Sequence, residues 1–359
     1  MPSRRRFIVG VGAGAVGIGA FGAGYLFRSK LGALRRGYVV KGLPDVTARP
    51  GKALPAAAGK SRVVEVQDAR ALTAAGHPDA REVQAMLDLA LRRAFDVEKV
   101  EEAWRALFPD PTEVVGLKVN AAAGRGGPST SPEMVRALTR GLGLAGIPER
   151  NIVVFERSHE ELASAGFTVD PDGPGVRVIG SNSLFRTTRL APQVLTVAGQ
   201  PVRLVQMVRL CSAIINCSVA KHHGDSGYTG ALKNWYGVIE QPSRFHRDIH
   251  SASFIPEVAG LEPIRTRVRF SVIEALRSQC ERGPRSAREW HFTPRAVMVG
   301  TDQVALDAVG ARLVEEERRR RGLPTLAEMG RDPSYIALAA GRGLGRSDPA
   351  AIEHLQEEV

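Results

Sequence analysis

The sequence predicts an α/β fold, a largely parallel sheet with helices on both faces and one inserted β-hairpin. Short apolar runs of strand length alternate with stretches whose apolar residues recur every three to four positions. Strand-then-helix repetition of this kind builds parallel sheets covered by helices. About 300 residues follow the N-terminal segment, enough for one large domain or two smaller lobes. No internal repeat is visible.

The chain opens with a segment that does not belong to this pattern. Ser3-Arg4-Arg5-Arg6-Phe7-Ile8 fits the twin-arginine export motif, and an uncharged, Gly- and Ala-rich stretch runs from Phe7 to Phe27. Residues 1–30 are therefore read as a twin-arginine signal or, if retained, an N-terminal anchor, since ~20 apolar residues can span a bilayer. The partner in export is the twin-arginine translocase, and the expected location is periplasmic or otherwise extracytoplasmic. Residues 31–60 carry Pro, Gly and scattered basic residues without a period and read as a linker. Residues 61–359 form the α/β body.

Within the body, RVVEVQ (62–67) precedes the amphipathic DAREVQAMLDLALRRAF (79–95), and VVGLKVN (114–120) precedes SPEMVRALTRGLGLAG. NIVVFE (151–156) precedes SHEELASAG, SAIINCSV (212–219) precedes a predicted helix over GALKNWYGVI, and RAVMVG (295–300) precedes TDQVALDAVGARLVEEERRR. QVLTVAGQPVRLVQ (193–206) reads as the inserted hairpin, turning at Ala-Gly-Gln.

The net charge of +11 suggests nucleic acid until it is located. Residues 1–52 hold ten Lys and Arg against one acid, Asp45, so +9 falls there and +2 on the rest. The body has one basic run, Arg318 to Arg321, and it follows Glu315-Glu316-Glu317 at helical pairing distance. A phosphate backbone needs a clustered basic face, so nucleic acid is rejected as a partner. Of the three cysteines, Cys211 and Cys217 flank an apolar run; six residues along one strand is ~20 Å, too far for a disulfide, which needs Cα atoms within ~7 Å. There is no Cys-x-x-Cys and no four-thiolate set, so the chain does not supply an iron–sulfur cluster of its own.

In parallel sheets, ligands collect where strand ends lead into helix starts, and three such places are chemically loaded. The first is the loop after VVGLKVN. Lys118 and Asn120 end the strand, a Gly-rich loop follows, and Thr130 with Glu133 forms a capping box at a helix whose first turn holds Pro132. Backbone N–H groups there, with Ser129 and Thr130, would receive an anion beside Lys118. The second is KHHGDSGYTGALKNWYG (221–237), where Lys221 and His223 follow a strand, Thr229 caps a helix from Gly230, and Lys233 and Asn234 lie one turn in. His222 and Asp225, joined by His246 and His250 downstream, offer a divalent metal set. The third is Asp302, where a strand turns into a helix; capping is its ordinary role. Glu156 and Arg157 end another strand and suit either the same crevice or a structural salt bridge, and Asp307 need not face that way.

Lys221-x-His223 followed by Thr229-Gly230-Ala231-Leu232-Lys233-Asn234 resembles the signature of the domain of unknown function 362 family, and VVGLKVN with the later STSP resembles its first block. FERSHEELASAGF and TDQVALDAVG resemble two more, in the expected order from about Val114 to Gly345. The twin-arginine-exported branch is the most similar. The resemblance implies no settled activity. Many relatives carry appended ferredoxin-like cysteine clusters, which this chain lacks.

The sequence thus points to an anionic small molecule, with or without a divalent metal, held in a strand-end crevice by Lys118, Lys221 and Lys233. His223 is the general acid–base candidate, and Thr229 and Asn234 orient the ligand. The rival is a non-catalytic periplasmic binding protein or an accessory to a redox partner protein, using the same crevice.

Overall fold

The computed structural model describes residues 59–181, 190–246 and 250–359, without the side chains of residues 190–192, 250 and 251. The export segment 1–30 and nearly all of the linker 31–60 lie outside the described residues. The strands are β1 (Ser61–Gln67), β2 (Val115–Lys118), β3 (Ile152–Glu156), β4 (Arg177–Gly180), β5 (Leu190–Val197), β6 (Gln200–Val205), β7 (Ala213–His223), β8 (Gly227–Thr229), β9 (Val268–Gln279), β10 (His291–Phe292), β11 (Ala296–Gly300) and β12 (Ile352–Glu358). Ten of them form one sheet: eight in the order β12-β1-β11-β9-β7-β2-β3-β4, with β8 paired to β7 and β10 to β9. Five of the seven pairings along that order are parallel, and the two antiparallel ones are those that β11 makes with β1 and β9; the β7–β8 and β9–β10 pairs are antiparallel as well. The sheet is mostly parallel, as the alternating pattern predicts. β5 and β6 stand apart as the predicted hairpin, with Ala198 and Gly199 at φ 47° and 72° in its two-residue turn.

Each face has its own helices. Helices α1 (Ala80–Phe95), α2 (Val100–Leu107) and α3 (Pro132–Leu144) bury Val83, Met86, Leu87, Leu91, Trp104, Leu107, Met134, Leu138 and Leu142 against Val64, Val66, Val115, Leu117, Ile215, Val272, Val297 and Val299. Removing each large side chain from water contributes roughly 1.5–3 kcal/mol. α2 and α3 meet at Trp104, whose indole lies so close to Gly141 that a Cβ there would come within 2.0 Å of it. The short α4 (His159–Ser164) follows β3, and α5 (Met207–Leu210), α6 (His250–Ala259) and α7 (Glu262–Arg265) frame the hairpin side. On the opposite face α8 (Gln303–Arg320) lies along β7, β9 and β11, and α9 (Tyr335–Gly341) packs on α6 and α8. Arg318, in the basic run, is fully buried and ion-paired with Glu281, while Arg320 and Arg321 pair with Glu317. Among the described residues, no helix is long and apolar enough to cross a membrane.

Two local expectations are corrected. The helix predicted over 230–239 is a 3-10 turn, Lys233–Val238, with no side-chain cap. Leu232, Lys233, Asn234, Trp235 and Tyr236 are all buried, so the segment has no solvent face and no amphipathic period to favour an α-helix. The cap of α3 is Ser131, which accepts from Met134 N–H, and not Thr130. Thr130 instead accepts from Asn120 N–H and donates to the Cys217 carbonyl, tying β2 to β7.

Candidate functional site

β2, β3 and β7 are mutually parallel, so their carboxyl ends fall at one edge of the sheet. Lys118 and Asn216 are register partners and share the α8 face; an irregularity in the β7 ladder between Val219 and Lys221 brings Lys221 and His223 to the same site, and Glu156, at the end of β3, reaches Lys118. β8 folds back on β7 with Thr229 opposite Lys221 and Gly227 opposite His223. The 3-10 turn then lays Lys233, Asn234 and Tyr236 over the same edge. A cleft of about 150 Å³ results, with Asn120, Lys221, His223, Thr229, Lys233 and His246 among the residues on its walls.

Beneath the cleft runs a continuous polar chain. Lys118 Nζ donates to Glu156 Oε2 at 3.1 Å and to Asn234 Oδ1 at 3.3 Å. Asn120 Nδ2 donates to the same Asn234 oxygen, and Lys221 Nζ donates to Asn120 Oδ1 at 3.0 Å and to the Pro128 carbonyl at 3.1 Å. Asn234 Nδ2 donates to Asn216 Oδ1, and Asn216 Nδ2 donates to the Ala231 carbonyl and to Gln303 on α8. A network satisfied in this way fixes one geometry.

Lys233 is the exception. It is 4% exposed, and its Nζ has no hydrogen-bond partner; it rests 3.7 Å from the centroid of the Tyr236 ring. Thr229 Oγ1 is likewise buried without a partner. Burial pushes both Lys221 and Lys233 down to about 7, opposed by Glu156 for the first and Asp225 for the second. Lys118 is also lowered by burial, with its ion pair to Glu156 opposing.

The two cleft histidines stack at 5.4 Å between ring centroids. Asp225 N–H donates to His223 Nδ1, which places the proton of the neutral ring on Nε2. His246 Nδ1 lies 2.8 Å from the Pro242 carbonyl, which can only accept, so Nδ1 holds the proton and Nε2 keeps its lone pair. Burial holds His223 well below its ordinary value and pushes His246 down to about 4, with Lys233 nearby adding to both. Both rings are neutral at pH 7, one presenting a donor and the other an acceptor.

Asp307 shapes the lip. From α8 its carboxylate accepts from Ala231 N–H at 2.5 Å and Leu232 N–H at 3.0 Å, and burial pushes it up to about 7. Gly230 is required there, because a Cβ would lie 2.1 Å from Asp307 Oδ1. Gly227, at φ 72°, passes so close to the Arg331 carbonyl that a Cβ would clash with it at 1.8 Å.

Several predicted site residues stand elsewhere. His222 points to the other side of its strand, as the neighbour of an inward residue must; its Nδ1 accepts from Gly283 N–H and its Nε2 is 3.6 Å from Glu281. Asp225 is half-exposed at 3.9 Å from His223, and of His250 only the backbone is described. His222 is thus separated from His246 by the strand, the His250 side chain lies outside the described residues, and among the described residues no group of three or more His, Cys, Asp and Glu could hold a metal ion. Ser129 and Thr130 border a separate cavity of about 300 Å³ with Glu133, Arg136, Glu274 and Arg277. The anion at the start of α3 is the protein's own: the Glu274 carboxylate accepts from Ser131 N–H at 2.8 Å. Asp302 caps α8 and holds Ser61 Oγ and Arg346 N–H. It misses the cleft because β11 runs antiparallel to β9, which puts its carboxyl end at the far edge of the sheet. Asn216, Tyr236 and Asp307 complete the site. A polar residue within the apolar run SAIINCSV is the signal that could have found Asn216; the clamp made by Asp307 has none.

Fold and site together define an α/β protein with a lysine-lined cleft at the carboxyl ends of parallel strands. The chain belongs to the family described as "Domain of unknown function (DUF362)", whose model matches residues 115–312 and so includes every wall of the cleft. A solved structure with a similar fold is the lactate racemase apoprotein from Thermoanaerobacterium thermosaccharolyticum, at 12% identity and TM-score 0.41. The match covers 73% of this chain and 59% of that one, and a likeness at this level says nothing of chemistry. No curated protein matches the chain.

Proposed function

We propose that the cleft binds a small organic anion bearing a carboxylate or phosphate, and that His223 and His246 exchange protons with it. One observation carries this reading: the buried, hydrogen-bond-free Nζ of Lys233 beside the buried Nζ of Lys221. A buried cation without a counter-charge costs several kcal/mol. Glu156 already serves Lys118, and Glu161 serves Arg157. Two ammonium groups and the Thr229 hydroxyl are left to an incoming anion. The size of the cleft favours a ligand of a few heavy atoms over a nucleotide, since drug-sized pockets occupy about 300–1,000 Å³.

A divalent cation in the cleft would find the Nε2 lone pair of His246 and otherwise depend on oxygens of the bound anion. The match of Ser3–Ile8 to the twin-arginine pattern supports a location outside the cytoplasm for this activity, reached through the translocase that carries folded proteins. Titration calorimetry of the purified chain with oxalate and with inorganic phosphate tests the reading. Wild type binds at least one of the two, and Lys221→Met and Lys233→Met each weaken that binding at least tenfold. Equal affinity in all three proteins overturns it.

A further inference from the structure

Eight of the chain's 49 basic residues are lysine. Beyond residue 100 there are three, Lys118, Lys221 and Lys233, and all three are buried at this one cleft. Elsewhere in that stretch positive charge is supplied by arginine, even where it is buried, as at Arg318. An arginine would hold an anion as well or better, with a planar fork suited to carboxylate. What arginine cannot do is give up its proton and present a nitrogen lone pair.

The three amines have different surroundings. Lys118 is committed to Glu156, and Lys221 donates to Asn120 and the Pro128 carbonyl. Lys233 makes no hydrogen bond, lies against the face of an aromatic ring and forms part of the cleft wall. We infer that Lys233 Nζ is a nucleophile that forms an imine with a small 2-oxo acid, whose carboxylate is held by Lys221 and Thr229. The inference rests on the anion-binding reading and names its substrate class.

The step balances without an oxidant or a metal. The Nζ lone pair bonds to the carbonyl carbon, and the carbonyl π pair moves to oxygen, which takes a proton. Nitrogen loses a proton, the oxygen takes a second one and leaves as water, and a C=N bond remains. His223, with a proton on Nε2, and His246, with a lone pair on Nε2, line the same cleft and can serve these transfers. Desolvation keeps the amine reactive: at about 7, roughly half of Lys233 is neutral at pH 7. An ordinary lysine, titrating near 10.4, is neutral about once in 2,500.

The full-length protein incubated at pH 7 with pyruvate and sodium cyanoborohydride, then mapped by peptide mass spectrometry, tests this. The expected result is one reduced carboxyethyl group on Lys233, exceeding labelling of the exposed Lys60 and Lys99 by on the order of a thousandfold, and suppressed by oxalate. Lys233→Arg loses this label while oxalate still raises its melting temperature. Label absent from Lys233, or spread equally over Lys60 and Lys99, overturns the imine. If oxalate still stabilises wild type in that case, the anion site stands without the imine; if it does not, both readings fall. The wild-type map decides the matter even where the variant does not fold.

Discussion

Replacing Lys233 with methionine removes an ammonium and keeps an unbranched side chain of similar length. In the folded protein burial holds that ammonium at about 7, against an ordinary 10.5. Between these values the unfolded chain binds the extra proton, so this residue makes stability rise with pH across that window. Below pH 7 both states are charged and the whole cost is present; above about 10.5 neither is, and the cost vanishes. At about 1.4 kcal/mol for each pH unit, the drop of about 3.5 amounts to on the order of 5 kcal/mol. In anion-free buffer Lys233→Met should therefore be more stable than wild type by a few kcal/mol at pH 6, and the two should converge by about pH 10. Urea unfolding followed by tryptophan fluorescence at pH 6, 8 and 10 reads this directly. Oxalate should then narrow the gap at pH 6 by stabilising wild type alone. A gap that does not change with pH, or a variant less stable than wild type at pH 6, would refute the picture of an uncompensated buried charge.

Anion affinity should fall as pH rises above 7, because the bound state needs Lys221 and Lys233 protonated; the slope is up to about tenfold per pH unit for each lysine. Calorimetry in buffers of different ionisation heat should show net proton uptake on binding at pH 8, and a flat profile contradicts the assignment. Asp307→Ala leaves the Ala231 and Leu232 N–H groups without their acceptor. It should cost about 1–3 kcal/mol for each and weaken oxalate binding, as urea unfolding and calorimetry would show. Gly141→Ala forces a methyl group into the Trp104 indole. It should destabilise by about 1–3 kcal/mol while leaving oxalate affinity at wild-type level.

Periodicity revealed the sheet because its central strands are buried on both faces and its helices on one. The hairpin was legible from Ala198-Gly199, whose turn needs positive φ. Lys221, His223, Lys233 and Asn234 could be named from the sequence because polar groups crowded at a strand end have few structural uses. Strand direction could not be read: an apolar run such as RAVMVG looks the same in either orientation, and that alone carried Asp302 away from the cleft. His222 is grouped with His223 when both are read as lying past the strand; β7 runs on to His223, and alternation sets the two on opposite sides. The pairing of Glu274 with the start of α3 joins residues 143 positions apart, and no local pattern announces it.

The clamp from Asp307 to Ala231 spans 76 residues of sequence. The loop that bears Lys233 is thus steered by α8, a helix that contributes no residue to the cleft wall. Substitutions that tilt or slide that helix should retune which molecules the protein selects while leaving every contacting side chain unchanged, so the determinants of selectivity extend well behind the cavity itself.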